Sequence, residues 1–403
     1  MNRHQMITAM AKQSKSHKER NLKMKQVLLV ATVGGFVPQF ELNDVKLLRE
    51  MNCEVHYAAN FDCSVYNVTD ELLEENNIIK HDVAIAKNPF NVKSNYRAYI
   101  ELKSLIDKQN IELVHCHTPV GGVIARVAAA RSKRKPKVIY TAHGFHFYKG
   151  SSLLSWCTYY FVERILARKT DAIVTINEED YIHARKFHLK KGGKVYKIPG
   201  VGLRMERFRK ASVNRYKEDI QPGSTVGKKK FKLVTVAELN KNKNHQIVIE
   251  AIARLGRDDI YYEIYGGGPY EKYLRELIDR LKLGKYVQLK GYTQEPERVL
   301  RKADCFVFPS FREGLGMAAL EAMACGLPVI ANDNRGTREY MRDGYNGIVC
   351  ISGKNEEYAS AIVRLADSKE TREMMGRNAI NTAKKFDIKH TEETMRQVYS
   401  TFV

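Results

Sequence analysis

The sequence predicts an α/β protein made of two Rossmann-like, doubly wound domains facing a shared cleft. Three observations predict it. Short β-branched runs alternate with longer helical stretches along the whole chain, the rhythm of parallel sheets flanked by helices. That rhythm breaks once, around residues 214–230, where Pro222, Gly223, Gly227 and a lysine run make a polar linker. At 403 residues, 44% of them hydrophobic and 28% charged, the chain is long enough to bury two separate cores. Two such domains place the C-terminal strand edges of both sheets in a common cleft, where α/β folds bind their ligands.

Taken in order, residues 1–23 are basic and polar without an apolar core, so they read as a disordered tail rather than a secretory signal. The first domain is expected over 24–210, with strands at 26–32, 54–59, 113–117, 138–142, 172–176 and 195–198. Helical stretches at 41–51, 96–108 and 122–131 lie between them. A linker over 211–230 leads to a second domain at 231–385, with strands at 231–237, 262–265, 287–290, 305–308 and 328–331. No apolar run approaches the roughly 18–20 residues that cross a bilayer. The seven cysteines are scattered without a CxxC pair, as in a cytoplasmic protein with reduced, mostly buried thiols.

The formal charge of +21 is uneven: residues 131–210 hold 19 Lys and Arg against 6 Asp and Glu. Such a region suits an anionic membrane surface or a phosphorylated substrate, or it is a solvated basic face. Zinc-finger spacing, RNA-recognition wording and helix-turn-helix wording are all missing, which argues against nucleic acid. Within this region SSLLSWCTYYFVERILARK (151–169) carries a broad apolar face of Leu153, Leu154, Trp156, Tyr159, Tyr160, Val162, Ile165 and Leu166. The pattern fits an interfacial helix and a buried core helix equally.

The most informative stretch is FPSFREGLGMAALEAMACGLPV, residues 308–329. A buried strand precedes it, and 317–324 is rich in helix formers. Glu313 therefore falls in a glycine loop at a strand end and Glu321, eight residues on, in the following helix. A glycine loop lets backbone approach a ligand closely, and a helix start favours anionic or hydroxylated groups. The plain alternative is an ordinary strand-to-helix turn with two solvated glutamates.

The longer wording EGLGMAALEAMACGLPVIA, continued through Arg335, Gly336, Glu339 and Gly344 to Gly347, resembles the signature of retaining, nucleotide-sugar-dependent glycosyltransferases of the group 1 (family 4) type. The resemblance runs over nearly the whole chain from Met24 and points to the bacterial capsule and exopolysaccharide transferases. It implies the glycosyltransferase B fold, with a closing helix near 391–402, inside 386–403, crossing back to the first domain. It also implies a metal-independent hexosyl transfer from a UDP-linked sugar to a lipid-diphosphate-linked glycan, with no cofactor. By the same resemblance Glu313 bonds the donor sugar and Glu321 the ribose, while backbone amides of Gly314, Leu315, Gly316, Met317 and Ala318 hold sugar and phosphates.

Other positions follow from the same family. His143, in YTAHGFHF, falls in the T-x-H-G motif beside the anomeric carbon. Gly34 and Gly35 end the first strand near the donor diphosphate or the acceptor, and Gly266 and Gly267 of IYGGGP shape the nucleotide pocket. In VAELNKNKNHQ, Lys243 takes the lysine place of a diphosphate-gripping pair, but Glu238 stands where the family usually has arginine, and a carboxylate there repels phosphate. His115, His117 and His146 are expected as orienting or acceptor-side groups. The HxH spacing of LVHCH puts both rings on one strand face, as in some metal sites, yet no third and fourth ligand accompanies it. The implied place of work is the inner face of the plasma membrane, with the protein held peripherally. Two other readings stay open: a nucleotide-sugar epimerase of the same architecture, and a catalytically silent sugar-nucleotide-binding protein.

Overall fold

The computed structural model describes residues 24–62, 68–208, 230–351 and 354–403. The expected tail at 1–23 and almost all of the expected linker at 211–230 lie outside these residues. Among the described residues, thirteen strands form two parallel sheets. The first has seven strands in the order β3-β2-β1-β4-β5-β6-β7, with β5 at Lys137–Ala142, and the second six in the order β10-β9-β8-β11-β12-β13, with β10 at Val287–Gly291. By compactness the chain divides into one unit ending at Tyr140 and including Tyr399–Val403, and a second unit from Thr141 to Val398.

In the first unit, β1 (Lys25–Val33) pairs with β2 (Cys53–Asn60) on one side and β4 (Leu113–His117) on the other. The order 3-2-1-4 reverses direction beside β1, which makes the C-terminal ends of β1 and β4 a topological switch point. Central strands here are buried on both faces; β1 reads as the continuous apolar run VLLVA, while β4, LVHCH, buries two histidines as well. The edge strand β3 (Ile78–Asp82) was not expected from sequence, because a largely exposed edge strand leaves no apolar run to find. Helix Val92–Lys108 starts four residues earlier than expected because Asn91 caps it, its side chain accepting from the Ser94 N–H. Helix Pro119–Arg131 likewise begins earlier, with proline in its first turn.

In the second unit, β6 (Ala172–Thr175) pairs with β7 (Lys194–Lys197), and the six-stranded sheet is centred on β8 (Phe231–Val236). β8 lies between β9 (Ile260–Tyr265) and β11 (Cys305–Phe308), with Leu233 opposite Cys305. The order reverses between β8 and β11, so a second switch point opens at their C-terminal ends. β12 (Val329–Asn332) and β13 (Gly347–Cys350) extend the sheet. Helix His245–Leu255 buries Ile247, Val248 and Ile252 against the sheet, each such side chain stabilising the fold by about 1.5–3 kcal/mol. Of the cysteines among the described residues, Cys53, Cys116, Cys305, Cys325 and Cys350 are buried thiols and Cys157 is exposed.

Candidate active site

The switch point of the second unit gathers the residues with the richest chemistry. After β8 the chain turns through a short helical turn, Lys241–Lys243, which Asn240 caps by accepting from the Lys243 N–H at 3.1 Å. After β11 it enters the loop that carries Glu313. Two hydrogen bonds join turn to loop: the Phe311 N–H donates to the Asn242 carbonyl, and the Asn242 side chain donates to the Arg312 carbonyl, both at 2.9 Å. The Lys243 ammonium is thereby placed 2.5 Å from Glu313 Oε1, and both side chains are only partly exposed.

Helix Met317–Ala324 follows the loop, entered through Gly316 at φ 92°. A side chain at Gly316 would meet the Phe308 ring at 2.6 Å, so this turn needs glycine twice over. Gly314 is held as closely, because a Cβ there would drive into the His143 carbonyl oxygen. The glycine loop thus lies directly on the His143–Gly144 turn. Leu315 is buried, while Met317 and Ala318 at the helix start keep part of their surface open.

Glu321 projects from this helix with part of its surface open, yet its carboxyl is enclosed enough that burial lifts its pKa to about 7; the charge of Arg207 opposes the rise. Burial drives His143 the other way, to about 4, so its ring is neutral at physiological pH. His146 also falls to about 4, through burial and then the charges of Arg312 and Arg335.

Three residues without an expected role hold the loop and the His143 turn together. Arg335 donates to Asp180 Oδ1 at 2.7 Å and to the Phe145 carbonyl at 2.8 Å. Asp180 accepts from the Phe145 N–H at 3.0 Å and from the Asn177 side chain at 2.8 Å. Asn177 also donates to the Gly314 carbonyl at 3.0 Å. Asn177 caps helix Glu178–Ala184, a local N-x-x-D pattern legible in NEED; its reach to Gly314 across 137 residues is not.

Among the glycines of IYGGGP, Gly266 and Gly268 have a backbone role. A Cβ at either would strike the main chain of 237–239, which pairs with this turn through the Leu239 N–H and Gly267 carbonyl. Gly267 itself faces open space. Glu238 is exposed, and its carboxylate accepts from the Asn240 side chain at 2.9 Å.

Other expected site residues belong to the first unit. Gly34, after β1, donates to the Asn60 carbonyl at 2.8 Å and packs so tightly that a Cβ would meet the Phe61 ring at 2.5 Å. Gly35 opens the short helix Phe36–Phe40. His115 and His117 are completely buried, their rings 4.2 Å apart. The Tyr399 hydroxyl joins His115 Nδ1 and Asp44 Oδ2, at 2.8 Å each, and His117 Nδ1 lies 3.8 Å from Glu41. Burial raises the Asp44 pKa to about 6 and raises that of Glu41 as well.

The "Glycosyl transferases group 1" family model matches residues 217–382, and the "Glycosyl transferase 4-like" model matches 42–177. EpsD of Bacillus subtilis (strain 168), named as a glycosyltransferase, is 38% identical over 94% of this chain and 97% of its own length. The chain belongs to the group 1 glycosyltransferases. A second relative, from Escherichia coli, is a UDP-Gal:alpha-D-GlcNAc-diphosphoundecaprenol alpha-1,3-galactosyltransferase, 28% identical over 68% of this chain and 71% of that one. Among solved structures, Anabaena Alr3699/HepE in complex with UDP and glucose superposes with a TM-score of 0.73 at 17% identity, covering 94% of this chain and 100% of that one. The sucrose-phosphate synthase of Thermosynechococcus elongatus gives a TM-score of 0.74 at 17% identity, covering 94% and 98%. This glycosyltransferase has the glycosyltransferase B fold, two parallel-sheet α/β domains. No helix among its described residues is long and apolar enough to cross a membrane.

Proposed function

We propose that this glycosyltransferase moves a hexose from a UDP-sugar to a lipid-diphosphate-linked glycan, with retention at the anomeric carbon and without a metal, in capsule or exopolysaccharide synthesis. One observation carries the reading: the Lys243 ammonium and the Glu313 carboxylate meet at 2.5 Å on the switch point, beside a glycine loop seated on His143. A UDP-sugar laid across this point brings its diphosphate to Lys243 and the backbone amides of 314–318, and its hexose to Glu313. Lys243 and those amides supply the charge stabilisation that the leaving diphosphate needs, the part a metal plays in other transferases. Glu321 receives the ribose hydroxyls. The acceptor hydroxyl attacks from the leaving-group side, and the departing phosphate oxygen takes its proton. Neutral His143, beside that centre, bonds the reacting sugar through its ring or carbonyl. The binding of UDP by HepE and the diphosphoundecaprenol acceptor of the E. coli relative support the donor and acceptor classes. The basic stretch at 131–210 supports a peripheral position at the inner, anionic face of the plasma membrane.

The test is a donor screen with chelator present, using UDP- and GDP-sugars and a lipid-diphosphate-linked N-acetylhexosamine. Product from one UDP-sugar with its α or β configuration kept supports the proposal. UDP binding without turnover of any donor or acceptor would favour a silent sugar-nucleotide-binding protein, and activity only on metal addition would remove the metal-independent step.

A further inference from the structure

We propose that the exposed apolar surface of residues 153–165, the aromatic pair His146 and Tyr159, and the guanidinium of Arg312 form one continuous site for a lipid-linked diphosphate. The site rests on the transferase reading above and names where its acceptor is held.

The segment is built as helix Leu153–Ser155, a π-helical turn Trp156–Tyr160, and helix Phe161–Ala167. Its inner face is already satisfied. Trp156 packs on Phe147 and His183, Tyr160 on Phe147 and Phe187, and Leu166 is buried. Its outer face is apolar all the same: Leu153 is 84% exposed, Leu154 72%, Ile165 58% and Phe161 52%. Burying these four against a lipid chain would remove apolar surface from water that the fold itself leaves uncovered.

The apolar surface leads toward the reaction centre. The Tyr159 ring lies 4.9 Å from that of His146. Two residues on, the Tyr148 ring lies 5.3 Å from the Arg335 guanidinium and 5.9 Å from that of Arg312. Arg335 is committed to Asp180 and Phe145. The Arg312 guanidinium is exposed and has neither a carboxylate nor a hydrogen-bonding partner among the described residues, and its neighbour in the chain is Glu313. The order in space is therefore apolar surface, aromatic pair, uncommitted cation, then the carboxylate assigned to the donor sugar. An amphiphile whose anionic group separates a lipid chain from a sugar has the same order. Four cations within 149–169, Lys149, Arg164, Arg168 and Lys169, flank the surface against one acid, the buried Glu163. Burial, and after it the charges of Arg312 and Arg335, lowers the pKa of His146, so both guanidiniums act on this ring.

Undecyl diphosphate and inorganic pyrophosphate serve as probes of the full chain, with UDP saturating the donor site and UDP affinity measured in the same titrations. The wild type is expected to bind undecyl diphosphate at least tenfold more tightly than pyrophosphate. Arg312→Gln is expected to weaken undecyl diphosphate at least tenfold, Arg312→Lys to recover most of it, and both to leave UDP affinity unchanged. Leu154→Ser/Phe161→Ser, substitutions at exposed positions that keep the fold, are expected to bring undecyl diphosphate down to the pyrophosphate level. Equal binding of the two probes, no binding of either, or an unaffected Arg312→Gln protein overturns the site while UDP still binds. Failure of the wild type to bind UDP counts instead against the transferase reading.

Discussion

The guanidinium of Arg335 lies 2.7 Å from the carboxylate of Asp180, across 155 residues of chain, and both side chains are almost wholly buried. The pair joins the segment after β12 to the helix that follows β6. It also fixes Phe145, because Asp180 accepts from its N–H and Arg335 donates to its carbonyl. Breaking a buried pair by removing one partner leaves an uncompensated charge and costs about 3–5 kcal/mol. Asp180→Asn should accordingly lower the unfolding free energy of the full chain, read from urea denaturation, by an amount in that range. A change under about 0.5 kcal/mol, the size of an ordinary surface substitution, would show that the pair carries no net stability.

Lys243 and Glu313 make a second pair, and here function should respond more than stability, because both side chains remain partly open. Lys243→Ala is expected to weaken UDP binding about 10–100-fold, as loss of a charged phosphate contact worth roughly 1.5–3 kcal/mol does. Calorimetric titration with UDP reads this directly. Glu313→Gln should keep UDP affinity within about threefold and reduce turnover, so equal losses in both would move Glu313 from the sugar to the nucleotide.

Glu321 gives a pH signature. Its folded pKa of about 7 lies above the ordinary 4.5, so the protonated form is the one the fold prefers. The stability this contributes is complete below pH 4.5 and is lost as pH rises through about 7. Glu321→Gln, which cannot ionise, should therefore match the wild type near pH 4.5 and melt at a higher temperature above pH 8, by the equivalent of about 3 kcal/mol. The same variant should bind UDP more weakly, because ribose hydroxyls lose a carboxylate acceptor. A melting difference that does not change with pH would show that Glu321 is not held in its acid form.

The apolar surface at 153–165 predicts lipid association independent of catalysis. Leu153→Ser/Leu154→Ser/Phe161→Ser should sediment with phosphatidylglycerol vesicles far less than the wild type while melting within a few degrees of it. Trp156 is kept, because it packs against Phe147 and His183 and its loss would confuse unfolding with release. Undiminished sedimentation of the folded triple variant would exclude this surface as the lipid contact.

Much of the molecule was legible in the chain because its determinants are local. The buried parallel strand 305–308 is apolar on both faces, so the run announces itself and its observed bounds coincide with the expected ones, as do those of 113–117 with its two buried histidines. The loop-and-helix wording around Glu313 is local at Gly316, where the nearby Phe308 ring leaves no room for a side chain, whereas Gly314 is required by the His143 carbonyl, distant in the chain. What stayed hidden was marginal or distant. Strand β3 is an exposed edge, β13 is four residues long, and the expected strand at 262–265 begins two residues earlier, at Ile260.

The segment at 151–169 shows the division most clearly. Its sequence made a lipid-facing helix and a core helix equally admissible, since periodicity counts apolar positions and not what covers them. Folding buries Leu166, packs the half-buried Trp156 and Tyr160 against Phe147, and leaves Leu153, Leu154, Phe161 and Ile165 outside, with a π turn between the two short helices. By itself the sequence determined the fold class, the strand-end position of Glu313 and the place of Lys243, because each is written in a contiguous run of residues. Only the tertiary structure decided that Lys243 meets Glu313 and that Arg335, Asp180 and Asn177 bind the loop to the His143 turn. These are contacts between residues 70 to 155 positions apart, and chain pattern carries no distance information at that range.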